Sequence, residues 1–258
     1  MNRLRVKNLN VFYGKTQRLF DVQLPDLEDG DILGLLGPNA AGKSTLMRAL
    51  SGVQKHQGQI IYKDNHQGDI PLSDWHREVA YMPQTPPQES SLLPFELLWS
   101  AARALNLTTS DQKLAKKIEL LFKRLGLAES AMSPMYSLSG GKRQLVGLAL
   151  ALIRNPYMLL LDEPTSALDL HWRMIVLDLV HERVNRQDGI AIAALHDLEL
   201  AARYCNKLVL LAHGKVVASG PVSDVLTADN IAAVFKVKAK VEPGELGYPI
   251  IQVLEPML

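Results

Sequence analysis

Gly37-Pro38-Asn39-Ala40-Ala41-Gly42-Lys43-Ser44-Thr45 sets two glycines around four residues and follows them with an amine and two hydroxyls, the pattern G-x-x-x-x-G-K-[ST]. Such a loop can wrap backbone N–H groups around a phosphate, and a helix starting at its end adds a favourable dipole. Lys43 can then reach the terminal phosphates, and Ser44 can ligate Mg²⁺. In Tyr157-Met158-Leu159-Leu160-Leu161-Asp162-Glu163-Pro164 an apolar run ends in a pair of carboxylates. Asp162 is placed to hold the shell of a Mg²⁺ ion through water, and Glu163 to orient or deprotonate an attacking water. Phosphoryl transfer depends mainly on positioning and electrostatics, so these few groups are sufficient for it. Leu138-Ser139-Gly140-Gly141-Lys142-Arg143-Gln144 opens a long apolar stretch, and its glycines allow close backbone approach to a second anion at a helix start. Plainer readings exist: a glycine turn for the first stretch, a solvated acidic turn for the second, a serine cap with glycines for the third. The strand-then-helix context narrows the first, and the first narrows the second. Spacing alone leaves the third open.

These groups need a scaffold, and the surrounding pattern supplies one. Ile32–Leu36 is a continuous apolar run of the kind found in a fully buried parallel strand, and a helix over about Lys43–Leu50 follows the glycine loop. Leu4, Val6, Leu9 and Val11 predict a strand with one buried face, and Arg18–Leu24 a second after the Gly14-Lys15 turn. Further strands are expected at Gln59–Tyr62, Val79–Met82, Tyr157–Leu161, Ile190–Leu195 and Lys207–Leu211, the last joined to Lys215–Ala218 as a hairpin through His213-Gly214. From about Ser90 to Ala131 the spacing becomes helical, which predicts a helical insert. Helices are expected from near Gly141, over His171–Asn185, at Ser223–Thr227 and at Ala228–Phe235, before a weakly alternating tail, Lys236–Leu258.

The 258 residues, 47% hydrophobic and 21% charged, suffice for one sizeable core, with or without a small satellite subdomain. A net charge of +1 argues against a protein held mainly by nucleic-acid phosphates. The lone cysteine, Cys205, precludes an intrachain disulfide, fits a reducing compartment and reads as a small buried apolar group. No signal peptide and no run of bilayer length is visible, so any membrane role is expected to be peripheral. The histidines other than His196 lack metal-ligand spacing and are expected at the surface.

Together the three stretches resemble the ATP-binding cassette (ABC) ATPases, with Walker A at Gly37–Thr45, the signature loop at Leu138–Gln144 and Walker B at Tyr157–Glu163. The resemblance covers nearly the whole chain and extends to isolated residues. Tyr13 resembles the aromatic that stacks on adenine. Gln84 in Tyr81-Met82-Pro83-Gln84 resembles the Q-loop glutamine that touches Mg²⁺. Ser166-Ala167-Leu168-Asp169 resembles the D-loop, and His196 the switch histidine on the γ-phosphate. Taken singly, Tyr13 could cover a sheet edge, Gln84 could sit in a turn, His196 could cap a strand and Asp169 could be a solvated acid. Their order and spacing around the three main motifs favour the family reading.

The resemblance implies an α/β fold: a P-loop NTPase core, with a mixed sheet flanked by helices and an antiparallel β subdomain, plus an inserted α-helical subdomain. It divides the chain into a core at 1–84 and 157–235, a helical subdomain with the signature loop at 85–156 and a tail at 236–258. It implies ATP and Mg²⁺ as ligands, with Glu163, His196 and Gln84 catalytic and Ser44, Gln84 and Asp162 at the metal. Two copies would pair head to tail, so that Ser139, Gly140, Gly141 and Asp169 of one complete the nucleotide site of the other. The sequence also departs from the family pattern. Ala40 replaces a usual glycine, and ATP binding is expected to survive provided its φ is negative. Lys142 replaces a common glutamine, and Leu145 and Leu150 stand where arginines are frequent.

The single cassette, without fused membrane segment or second cassette, is expected to exclude fused exporters and duplicated forms. Leu195–Cys205, Gly214–Gly220 and Val225–Val237 resemble the importer ATPases for ferric siderophores, haem and cobalamin. That implies integral membrane permease subunits, indirectly a substrate-binding protein, no nucleic acid and a peripheral place on the cytoplasmic face of the inner membrane. A soluble assembly ATPase, such as an iron–sulfur scaffold partner, or an importer or exporter of another substrate would share every ATP motif.

Overall fold

A computed structural model describes residues 4–104, 110–186 and 189–257. Strands β1 (Leu4–Tyr13) and β2 (Thr16–Val22) form a hairpin, β3 (Ile32–Leu36) leads to α1 (Lys43–Leu50), and β4 (Gln57–Tyr62) turns into the short β5 (Asn65–His66). Helix α2 (Leu72–Glu78) runs into β6 (Val79–Met82). Helices α3 (Pro94–Ala104), α4 (Asp111–Arg124) and α5 (Gly140–Ile153) come next, ahead of β7 (Met158–Asp162), α6 (Leu170–Arg186) and β8 (Ile190–Ala194). Then follow α7 (Leu198–Tyr204), β9 (Lys207–Ala212), β10 (Lys215–Pro221), α8 (Val222–Val225), α9 (Ala228–Phe235) and the hairpin of β11 (Val237–Pro243) and β12 (Pro249–Pro256).

The central sheet has six strands in the order β10-β9-β3-β8-β7-β6, parallel except for the edge strand β10. Every residue of β3, β7 and β8 is buried, and side chains alternate between two cores, as the pleat requires. Leu33, Leu35, Met158, Leu160, Ile190 and Ile192 face α1 and the antiparallel sheet β2-β1-β4-β5, whereas Leu36, Leu159, Leu161, Ala191 and Ala193 face α5, α6 and α7. The carboxyl ends of β3, β6, β7 and β8 lie along one edge of the sheet. They deliver Gly37, Gln84, Asp162 with Glu163, and His196 to that edge, where open α/β sheets bind ligands.

Several expectations are corrected by the structure. The β1 pattern is interrupted by a bulge: Asn8 has φ +50°, and the register against β4 shifts between Lys7 and Asn10, which keeps Leu4, Val6, Leu9 and Val11 all inward. The second strand starts at Thr16, two residues earlier than expected, because the turn pairs Tyr13 with Thr16. Residues 90–93 of the expected helical insert are not helical, and neither is the stretch that leads into them. Pro86 and Pro87 lack amide donors, Ser90 and Leu92 accept from Tyr136 and Met135, and Pro94 opens α3 at the position where a proline costs least. The Leu105–Thr109 part of the expected insert lies outside the described residues. His56 and His76 are half-buried rather than at the surface, and the His76 ring lies 3.1 Å from the Ser51 carbonyl. The tail is a β-hairpin packed on α9 and α7, with Ile251 in the main core. Cys205 is buried, as its composition suggested, and burial pushes its thiol up to about 12. Among the described residues no helix is long and apolar enough to cross a membrane.

Candidate active site

The loop between β3 and α1 is shaped by glycine. Gly37 has φ +152° and Gly42 φ +109°, and a side chain at Gly37 would lie 2.0 Å from the Leu211 carbonyl oxygen. Gly214 N–H donates to the Ala41 carbonyl at 2.9 Å and pins the loop to the β9–β10 turn. The first amide of α1 to find a helical partner is that of Leu46, on Gly42, so those of Lys43, Ser44 and Thr45 remain at the positive end of the helix dipole. Lys43 is buried and donates across the loop to the carbonyls of Gly37 at 2.7 Å and Pro38 at 3.1 Å. Burial lowers its ammonium pKa, and the Glu163 and Asp162 charges oppose that shift. Ala40 is the correction: its φ is +62°, left-handed rather than negative, as the glycine it replaces would allow.

Asp162 ends β7 and is 1% exposed. Its carboxylate accepts from Ser44 Oγ at 3.1 Å and from the Tyr81 hydroxyl at 3.3 Å. Burial raises its pKa, and the bonds from Ser44 and Tyr81 pull it back. Burial, with the Asp162 charge, also pushes the Tyr81 phenol up to about 12. Glu163 has φ +54°, and its N–H donates to the Ala194 carbonyl at 3.2 Å, which extends the β7–β8 ladder by one bond. Its carboxylate accepts from Gln84 Nε2 at 2.9 Å and lies 2.7 Å from His196 Nε2. The residue after His196, Asp197, caps α7 by accepting from Glu199 and Leu200 N–H at 3.0 Å each.

Asn39, Ala40, Ala41, Gly42, Lys43, Ser44 and Thr45 line a polar cavity of about 290 Å³ with Arg18, Gln84 and Glu163. The structure thus brings together the glycine loop, the two carboxylates, Gln84 and His196. Tyr13 stands at the end of β1, partly exposed, and its hydroxyl and that of Tyr81 both raise the Arg48 guanidinium pKa. Ser139 and Gly140 are exposed at the start of α5, where Ser139 Oγ accepts from Lys142 N–H at 3.3 Å. Asp169 accepts from Trp172 N–H at 3.0 Å and caps α6. None of Tyr13, Ser139, Gly140, Gly141 or Asp169 lines the cavity. Leu145 is in the core and Leu150 packs against it, so these departures exchange charge for apolar contact. Sequence reasoning missed Arg18, Tyr81 and Gln144 as site residues. Tyr81 and Gln144 lie inside the quoted motifs, where their types allow hydrogen bonding but fix no partner.

Residues 21–166 match the family model described as ABC transporter. The cobalamin import ATP-binding protein of Halobacterium salinarum is 34% identical over 239 residues, 92% of this chain and 60% of that protein. This chain therefore spans less than two thirds of that relative. The iron(3+)-hydroxamate import ATP-binding protein of Bacillus subtilis is 33% identical over 249 residues, covering 93% of this chain and 90% of the relative. A solved metal-chelate type ABC transporter in an inward-facing conformation superposes with a TM-score of 0.79 at 26% identity, covering 98% of this chain and 97% of that one.

Proposed function

Since the chain belongs to the ABC transporter family, we propose that it binds Mg-ATP and hydrolyses it to energise uptake of a metal chelate through separate membrane permease subunits. The observation that carries the enzymatic half is Glu163. Its carboxylate sits on the cavity formed by the phosphate-type loop, with Gln84 on one oxygen and His196 on the other. The substrate class rests on the names of the relatives, a cobalamin and an iron-hydroxamate importer, and on a metal-chelate transporter of the same fold.

In this reading Gly37, Pro38, Asn39, Ala40, Ala41, Gly42, Lys43, Ser44 and Thr45 hold the phosphates through backbone amides and the Lys43 ammonium. Ser44 and Asp162 already meet at 3.1 Å, Gln84 lines the same cavity as Ser44, and the three would supply oxygen donors of the kind Mg²⁺ takes. The ion would neutralise charge on the β- and γ-phosphates. Glu163 orients the attacking water, His196 contacts the γ-phosphate and Tyr13 carries the adenine. Ser139, Gly140 and Asp169 are exposed and Gly141 is half-buried beside them, so the first three are open to completing a second copy's site. That favours a head-to-tail homodimer with two composite sites. The core at 1–84 and 157–235 would hold nucleotide, and the 85–156 subdomain would move against it through Gln84. Contact with the permease would place the chain on the cytoplasmic face of the membrane, with a substrate-binding protein acting indirectly.

The test is an affinity pull-down of the tagged Glu163→Gln chain from detergent-solubilised cells with ATP, read by mass spectrometry. A stoichiometric polytopic membrane protein supports the transport reading. A soluble complex without one overturns it and leaves the ATPase half standing.

A further inference from the structure

Gln144 lies on the second turn of α5, five residues beyond Ser139, and is 1% exposed. A buried primary amide must find partners for its donors and its acceptor, and these partners all belong to one turn. Nε2 donates to the Glu163 carbonyl at 2.6 Å and to Ser166 Oγ at 3.2 Å, while Oε1 accepts from Ala167 N–H at 2.9 Å. Ser166 in turn donates to the same Glu163 carbonyl from its N–H at 3.3 Å and its hydroxyl at 3.2 Å. One turn earlier on α5, the Gly141 backbone approaches so closely that an added Cβ would lie 2.9 Å from the Ala167 carbonyl oxygen. The start of α5 and the Glu163–Leu168 turn are therefore joined by an amide clamp and a backbone contact that only glycine permits.

Glu163 needs such a clamp. Its φ of +54° is one that L side chains avoid, and it persists only where surrounding bonds over-determine it. The strand side supplies one bond, from Glu163 N–H to Ala194. The other side of the residue is held at its carbonyl, by Gln144 and Ser166. The direction of the Glu163 carboxylate toward Gln84 and His196 is set by this backbone, so a shift of the carbonyl moves the carboxylate. The same helix that presents Ser139 and Gly140 to solvent thus carries, five residues on, the side chain that holds Glu163.

We propose that Gln144 is a positioning residue that locks the α5 start to the Glu163 turn, so that engagement of Ser139–Gly141 by a second copy's nucleotide is transmitted to the chain's own Glu163. The inference rests on the ATPase and head-to-tail dimer reading above. It gives the start of α5 two faces, an exposed one reporting on one composite site and a buried amide acting on the other.

The test compares ATP turnover and nucleotide affinity of the purified chain with those of Gln144→Ala and Gln144→Glu, with Glu163→Gln as control. At neutral pH the glutamate of the second variant still accepts from Ala167 N–H and no longer donates to the Glu163 carbonyl. A misplacement of about 1 Å at a reacting group can cost about a hundredfold, so kcat should fall about tenfold to a hundredfold in both variants. ATP affinity should stay within about twofold of wild type, cooperativity in ATP should weaken, and Gln144→Glu should recover turnover as the pH is lowered and its carboxyl regains a donor proton. Wild-type kcat in Gln144→Glu would overturn the proposal, as would a loss of kcat matched by an equal loss of ATP affinity or by thermal destabilisation alone. Wild-type turnover in Glu163→Gln would sink the underlying ATPase assignment whatever the Gln144 variants do.

Discussion

His196 Nε2 lies 2.7 Å from Glu163 Oε1, and the residues that bring them together are neighbours only in the sheet. β7 ends at Asp162 beside Ala194, the last residue of β8, so one register sets Glu163 and His196 side by side. With Gln84 at 2.9 Å from the other oxygen, the carboxylate is bracketed by a ring nitrogen and an amide. That arrangement suits a group that must hold a water in line with a phosphate, because its orientation is fixed before the substrate arrives.

Ala40 stores backbone strain in the phosphate loop. A left-handed alanine costs roughly 1–2 kcal/mol, and the greater freedom of an unfolded glycine offsets part of that relief. Ala40→Gly should therefore raise stability by about 0.5–1 kcal/mol, or about 1–4 °C in thermal midpoint for a chain of this size. Differential scanning fluorimetry reads the change. A lower midpoint would show that the +62° conformation is not the one the loop holds in solution.

Asp162 is a charge kept buried for function. Its folded pKa is raised above the ordinary value of 3.8, chiefly by burial. Folding then favours the protonated form, so the stability linked to this group is full below the ordinary carboxylate pKa and is lost as pH rises through the folded value. At pH 7, far above the ordinary value, this group disfavours folding in the absence of a cation. Asp162→Asn should raise the midpoint of the protein held in EDTA at pH 7, the gain should shrink as pH falls toward 4, and the stabilisation given by Mg-ATP should drop. A variant less stable than wild type at pH 7 would refute this reading.

Cys205 should be inert in the folded chain. It is buried at the end of α7 against Gly34 of β3, with its thiol pushed up to about 12, so little thiolate exists at pH 8. A colourimetric disulfide reagent should react with no thiol over minutes in buffer and with one per chain in guanidinium. Rapid labelling of the native protein would contradict the packing described.

The site was legible in the sequence where the chemistry is local. The glycine loop, the apolar strand ending in Asp162 and Glu163, and the continuous runs of β3, β7 and β8 each declare themselves within about ten residues. What stayed hidden depends on partners distant in the chain or on backbone angles. The +62° φ of Ala40 is imposed by the loop around it and is not encoded in a residue type. Tyr81 matters because β6 pairs with β7 and so sets its hydroxyl on Asp162, and Gln144 because α5 packs on the turn after β7. Helix α2 is too short for a periodic signal. The tail pattern was too weak to announce β11 and β12, which find their partners only in each other and in the core beneath.

The role of Glu163 is tested most sharply by ATP hydrolysis by the purified chain with Mg²⁺, wild type against Glu163→Gln, with ATP affinity measured on both. Turnover in the wild type, a loss of at least about a hundredfold in the variant, and affinities that agree within a few fold are expected. Equal turnover in the two chains would contradict the role given to Glu163, and with it the site as described.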